Sequence, residues 1–90
     1  MSKDNQTNIS SIDGYPRKKE DDERISMDVA ALFSTPNGQA VRQYFKSITI
    51  EAVHGSAVTD EVLRHAEGQR YIVALIDRRI NHANRIKQNG

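Results

Sequence analysis

The sequence contains no cysteine and no tryptophan, and only two prolines in 90 residues. Without cysteine the chain can form neither a disulfide nor a thiolate metal site, so neither can compensate for a small core. Apolar residues make up 37% of the chain and aromatic residues 6%, which is lean for a packed domain. A domain of about 60 residues buries only ~60% of its unfolded surface. Oligomerisation or docking on a larger partner is the remaining source of stability, which favours a component of an assembly.

No charge of one sign dominates, and long apolar runs are missing. The formal net charge is +1, so no global electrostatic field draws the chain to nucleic acid or to a membrane surface. No apolar run approaches the ~18 residues of a membrane helix, and residues 1–8 lack the apolar stretch of a signal peptide. We therefore expect a soluble chain of at most one small domain.

Residues 1–26 are predicted to form an N-terminal arm in front of a helical domain at residues 27–90. The arm is polar, and a basic cluster at 17–19 is followed at once by an acidic cluster at 20–23. It is either a flexible tail or a peptide that becomes ordered on a neighbouring subunit. In the second case we expect its few apolar side chains to be the anchors. These are Ile9, Ile12 and Tyr15.

Two short helices are expected next. Ser26 is a suitable N-cap for the first. Thr35 as N-cap and Pro36 at the first helical position predict a second helix that ends at about Ile50. Gly38 is unfavourable in its first turn by about 1 kcal/mol relative to alanine. A close approach by another backbone would explain this glycine.

The C-terminal helix is predicted to be the longest element. Residues 51–58 are expected to be a loop or the fraying end of the preceding helix, and Thr59 is a suitable N-cap after this segment. Gly68 either breaks or bends this helix, which is the alternative that we favour, or is carried inside a single helix, so that the domain contains three or four helices. Apolar residues then recur at helical spacing and are predicted to face the core. They are Ile72, Ile76, Ile80 and Ala83.

The motif Glu67-Gly68-Gln69-Arg70 is not explained by local propensity. Arg70 can satisfy the carbonyl end of a neighbouring helix, pair with Asp60 or Glu67, or face a partner subunit. We therefore predict Gly68, Gln69 and Arg70, together with the apolar residues of the arm, as partner-binding residues.

The end of the chain is basic, because residues 78–90 contain no acid. Complementarity to the C-terminal helix dipole explains much of this charge. The alternative is a small nucleic-acid-binding protein, a packaging or regulatory factor, that uses these side chains. They are Arg78, Arg79, Arg85 and Lys87.

Motifs for catalysis or metal binding are missing from the sequence. His54, His65 and His82 fit no metal-ligand spacing and are predicted to be isolated surface residues. No serine lies in a nucleophile-elbow sequence, and no glycine-rich loop has the spacing that holds a phosphate. We therefore expect a protein that is not an enzyme and has no catalytic residue, metal or cofactor.

Two segments of the chain resemble one small phage domain family. The first runs from Phe33 through Gly38 and Val41 to Tyr44-Phe45. The second contains Asp60, Ala66, the Glu67-Gly68-Gln69-Arg70 motif and the apolar stretch 72–76. Together, over roughly residues 30 to 80, they resemble the short virion structural-protein domain typified by a Bordetella podophage protein. The aromatic pair replaces a more aliphatic segment of that pattern, and the polar arm lies outside it.

The resemblance implies a non-enzymatic component of a tailed bacteriophage particle, present in multiple copies near the portal or head–tail junction. Its expected partners are other phage structural proteins, namely portal, adaptor or tail subunits, and further copies of the chain itself, as a homo-oligomer or as several copies in an assembly. Its expected location is the virion, and the host cytoplasm during assembly. A protein that modulates a host enzyme in the infected cell is a further hypothesis.

Overall fold

The computed structural model describes residues 9–89, which form three helices preceded by a two-stranded hairpin. Strands β1 (Ile9–Ser10) and β2 (Pro16–Arg17) pair antiparallel. The helices are α1 (Lys19–Phe33), α2 (Pro36–Ile48) and α3 (Asp60–Asn89). The prediction of a small all-α bundle with a long C-terminal helix is therefore confirmed.

Helix α1 starts earlier than its sequence indicates. It begins at Lys19, and three acidic residues, Glu20, Asp21 and Asp22, lie in its first turn, where the helix dipole favours negative charge. Ser26 is buried in the middle of the helix, so the prediction of Ser26 as N-cap is wrong. The predicted boundary between arm and helical domain at residue 26 therefore falls inside α1.

Helix α2 begins as the sequence predicts. The Thr35 hydroxyl accepts a hydrogen bond from the Gly38 backbone N–H at 2.9 Å, and Pro36 occupies the first helical position. A Cβ at Gly38 would lie 2.8 Å from the Cα of Phe33 and closer still to the carbonyl oxygen of Leu32. The predicted close backbone approach at Gly38 is thus confirmed. Because Gly38 has no side chain, α2 can fold back directly after α1 ends.

A loop and a single long helix complete the fold. Residues 49–59 connect α2 to α3 without forming a helix or strand in the described chain, as predicted. The Thr59 hydroxyl accepts from the Val62 N–H at 3.2 Å, so the predicted N-cap is confirmed. Helix α3 is continuous over 30 residues, about 45 Å at 1.5 Å per residue, and the predicted break near Gly68 is wrong. Among residues 9–89 no helix is long and apolar enough to cross a membrane.

The order of contacts gives the helix directions. Asp22 and Ser26 of α1 contact Arg79 and His82 of α3, respectively, so these two helices run in the same direction. Helix α2 runs opposite to α3, because its N-terminal half lies near the C-terminal half of α3 and the residue after its end contacts Arg70. The fold is therefore an up-down-up bundle in which the first turns of α3 extend beyond α1.

The core is built mainly from small side chains. Val73 is the largest buried apolar residue, while Ile76 and Ile80 are only half-buried. Ile72 is 59% exposed, so its predicted place in the core is wrong, whereas Ala83 is completely buried, as predicted. Within residues 10–89, the remaining buried apolar residues are Ala30 and Ala66. Several larger apolar side chains are consequently left at the surface.

Candidate functional site

A buried polar cluster joins α1 to α3. Arg79 is 3% exposed, and its Nη1 donates to the Asp22 carboxylate at 2.7 Å, to the Asp22 carbonyl oxygen at 2.8 Å and to the Ser26 hydroxyl at 2.9 Å. Asp22 is equally buried. A buried charge is tolerated when it is paired and its hydrogen bonds are satisfied. This cluster therefore has a structural function in the fold.

Ser26 and His82 superficially resemble a nucleophile and its base. The Ser26 Oγ lies 2.7 Å from Nδ1 of His82, a distance at which a histidine can activate a hydroxyl. Ser26, however, is completely buried, and its oxygen already accepts a hydrogen bond from Arg79. A substrate cannot reach this hydroxyl, so the pair belongs to the polar cluster. The prediction of His82 as an isolated surface residue is wrong.

The hairpin is attached to the same cluster through Asp13. The Arg17 guanidinium donates to the Asp13 carboxylate at 2.6 Å and 3.1 Å. The hydrogen bonds from Arg17 and from the Ser11 hydroxyl hold the pKa of Asp13 well below its usual range. Arg79 adds a longer contact of 3.4 Å to the same carboxylate, and the Tyr71 hydroxyl donates to the Asp13 carbonyl oxygen at 3.4 Å. The described part of the arm is thus ordered by contacts within its own chain.

The apolar residues of the arm have different environments. Ile12 is half-buried, and its backbone N–H lies 3.4 Å from the Asp22 carboxylate. Tyr15 is 68% exposed, with the Arg17 guanidinium 5.9 Å from the centre of its ring. The Ile9 side chain lies outside the described part of the structure. Of the two predicted anchors whose side chains are described, Tyr15 is therefore exposed and Ile12 is half-buried.

An apolar groove lies open between α2 and the N-terminal half of α3. It has a volume of about 670 Å³. Phe45 and Ile48 form the α2 side, and Ile72, Val73 and Ile76 form the α3 side. Polar side chains lie at its edges, namely Thr49, Arg64, His65 and Gln69. A groove with apolar walls and polar edges has the character of a site for an amphipathic helix.

Gly68 lies in the wall of this groove. A Cβ built at this position meets no atom within 4 Å, so the glycine leaves open space that any other residue would reduce. Gln69 lies beside it and is exposed. Two of the three residues predicted as a contact surface in the Glu67-Gly68-Gln69-Arg70 motif therefore border the groove.

Arg70 points away from the groove and towards the end of α2. Its Nε donates to the carbonyl oxygen of Thr49 and its Nη2 to that of Ala52, both at 3.1 Å. The last carbonyl groups of a helix have no partner within the helix and need one elsewhere. Thr49 is the C-cap of α2 and Ala52 lies in the loop after it, so Arg70 binds both the end of the neighbouring helix and the loop that follows.

The four basic residues of α3 predicted to contact nucleic acid differ in burial. Arg79 is buried in the polar cluster, so the prediction that it contacts nucleic acid is wrong. Arg78, Arg85 and Lys87 are exposed. The alternative nucleic-acid surface is thereby reduced to three side chains, of which Arg78 and Arg85, seven residues apart, lie on one side of α3 and Lys87 on another.

The other two histidines are not part of a metal cluster. His65 is exposed and lies 3.3 Å from the Gln69 amide nitrogen. His54 is half-buried, and its Nε2 has no hydrogen-bond partner in the structure. In the described range 9–89, no group of three or more histidine, aspartate or glutamate side chains is placed to hold a metal ion.

Sequence reasoning missed most of the residues in both features. Asp22, Ser26 and His82 carry no local sign of burial, since their partners lie more than 50 residues away. Phe45 and Ile48 are recognisable as one face of an amphipathic helix. Their position in an open groove depends on how far α2 stands from α3.

Comparison with known proteins gives no match. The chain matches no family model, and neither a curated protein nor a solved structure has significant similarity to it.

Proposed function

We propose that this chain is a non-enzymatic structural or adaptor component of a tailed bacteriophage particle. It is present in multiple copies near the portal or head–tail junction. Its partners are other phage structural proteins, namely portal, adaptor or tail subunits. Its location is the virion, and the host cytoplasm during assembly.

The observation that supports this proposal best is the apolar groove. Phe45, Ile48, Ile72 and Ile76 line an open site of about 670 Å³, while the buried apolar core consists mostly of alanine. Exposed apolar patches bordered by polar residues are typical of protein–protein interaction sites. A chain with this distribution gains stability when another protein covers the groove.

The phage assignment is supported by the resemblance and by where its residues lie. Gly38, which the resemblance includes, is required by the close approach of α1 and α2. Gly68 and Gln69 border the groove, and Arg70 anchors the loop after α2. The residues that carry the resemblance thus lie where α1 meets α2 and beside the candidate contact surface.

Mass spectrometry of purified virions tests this proposal. We expect peptides of the chain in particles purified through a density gradient, at a ratio to the portal protein that indicates several copies per particle. A lysate fraction without particles serves as the control. Absence of the chain from mature particles, with abundant chain in the infected cell, would overturn the virion assignment.

A further inference from the structure

The outer side of α2 carries an apolar stripe that its own chain does not cover. Val41, Tyr44 and Ile48 recur at i, i+3 and i+7 and are between 45% and 59% exposed. This spacing places the three side chains on one side of the helix. Ile48 also lines the groove between α2 and α3. The stripe and the groove therefore form one continuous apolar surface.

This surface is suited to meet a copy of itself. The charged residues of α2 are Arg42 and Lys46, and both contact the Asp77 carboxylate on α3. The stripe itself is uncharged. In a two-fold interface the same patch occurs on both sides, so a single-sign charge there would cause repulsion. Because the α2 stripe is uncharged, pairing two copies of it brings no like charges together.

We infer that two copies of this chain associate through this surface, the α2 stripe of each copy lying in the groove of the other. Ile48 belongs to both the stripe and the groove, so it lies near the two-fold axis. Ile72, on the α3 side, then contacts the partner's stripe. This inference rests on the proposed function, because it names a second copy as one partner of the same groove.

The exposed area is sufficient for such a dimer. A standard interface buries about 800 Å² per partner, of which somewhat more than half, roughly 450 Å², is apolar. An aromatic side chain buries about 150–250 Å² in full, and aliphatic side chains are smaller. Four side chains are about half exposed and together offer on the order of 300 Å² per copy; they are Val41, Tyr44, Ile48 and Ile72. This apolar area is of the same order as that of a specific interface.

Sedimentation equilibrium of the purified full chain between about 1 and 100 μM measures this association. We expect the mass to approach that of a dimer at the upper end. Ile48→Glu and Ile72→Glu each place a charge in the interface and are expected to weaken association by about 30-fold or more. Val53→Glu is the matched control, because Val53 is 94% exposed and does not line the groove. Circular dichroism checks that each variant keeps its helix content.

A second variant separates folding from association. Gly68→Leu meets no neighbouring atom at its Cβ and favours the helix, so we expect the folded monomer to be retained or stabilised. The leucine side chain also fills part of the groove, so we expect Gly68→Leu to weaken dimerisation, as Ile72→Glu does.

Either of two results would overturn the inference. One is a wild-type chain that remains monomeric at 100 μM, and the other is Val53→Glu weakening association as much as Ile72→Glu. If the chain is monomeric but is found in virions, the dimer is overturned and the proposed function is not. The groove would then bind a helix of a different subunit. A dimer that is absent from virions supports this inference and overturns the proposed function.

Discussion

Arg79 of α3 and Asp22 of α1 form a buried ion pair, with 2.7 Å between Nη1 and the carboxylate oxygen Oδ1. Both residues are 3% exposed, and 56 residues separate them in the sequence. Removing one partner of a buried pair leaves an uncompensated charge away from water. The pair is therefore the contact between α1 and α3 whose loss is expected to cost most.

We expect Arg79→Met to lower the free energy of unfolding by about 3–5 kcal/mol. That is a large share of the ~5–15 kcal/mol typical of small domains. Urea denaturation followed by circular dichroism measures the change. Arg78→Met, at the exposed neighbouring position, is the control and is expected to change stability by less than about 0.5 kcal/mol.

The double variant Asp22→Leu/Arg79→Met tests the reason for that loss. Because neither charge remains unpaired, we expect it to recover at least half of the lost free energy. Equal stabilities for Arg79→Met and Arg78→Met would contradict the structural role of the pair.

Arg70→Ala is expected to loosen the segment after α2. Arg70 donates to the carbonyl oxygens of Thr49 and Ala52, and hydrogen bonds from a charged donor contribute about 1.5–3 kcal/mol when buried. Since Arg70 is only half-buried, we expect a loss of about 1–2 kcal/mol. Hydrogen exchange should quicken in residues 49–58 and remain slow in the C-terminal half of α3. Gln69→Ala is the control, and the same pattern in both variants would contradict this role.

Two glycines are expected to respond to alanine with opposite signs. Gly68 is helical and has open space around a Cβ, so Gly68→Ala is expected to stabilise the monomer by about 0.5–1 kcal/mol. At Gly38 a Cβ meets the backbone of α1, so Gly38→Ala is expected to destabilise by about 1–3 kcal/mol. Thermal melts at low micromolar concentration measure both changes, at about 4–8 °C per kcal/mol for a domain of this size. Changes of the same sign would show that the two sites are not distinguished by the space around them.

Low pH is expected to weaken the contacts by which the Asp13 carboxylate attaches the hairpin to the helices. Its folded-state pKa lies below the unfolded value, chiefly because of the hydrogen bond from Arg17. A depressed carboxyl pKa contributes stability that is fully present above the unfolded pKa of about 3.9 and is lost as pH falls through the folded pKa. We expect Asp13→Asn to be less stable than the wild type at pH 7, and we expect this difference to be smaller at pH 2. Urea denaturation at both pH values tests this, and an unchanged difference between the two proteins would contradict it.

Local signals in the sequence were sufficient for α2 and for the start of α3. Thr35, Pro36 and Thr59 act through neighbours within three residues, which is why their capping roles can be predicted. Gly38 was informative because local propensity disfavours it, and the structure shows the backbone contact that requires it. These positions fix where α2 and α3 begin.

Positions that depend on distant contacts could not be predicted in the same way. Ser26 has the chemistry of an N-cap, but its partners are Arg79 and His82 on another helix. Ile72 continues the apolar periodicity of α3, yet it lies beside an open groove where no helix of its own chain covers it. At Gly68 the propensity cost of about 1 kcal/mol was outweighed by the cooperativity of a long helix.

The small residues between α1 and α3 have a consequence for how these helices are aligned. Ala30 and Ala83 allow close packing, but alanine surfaces fit one another almost equally well after a shift of one helical turn. The polar cluster does not tolerate such a shift, because Asp22 and Arg79 would each be buried without a partner. Alanine therefore sets how near the two helices lie, and the ion pair sets their register. Variants that replace the pair by apolar residues are expected to retain their helices but to populate more than one alignment of α1 on α3.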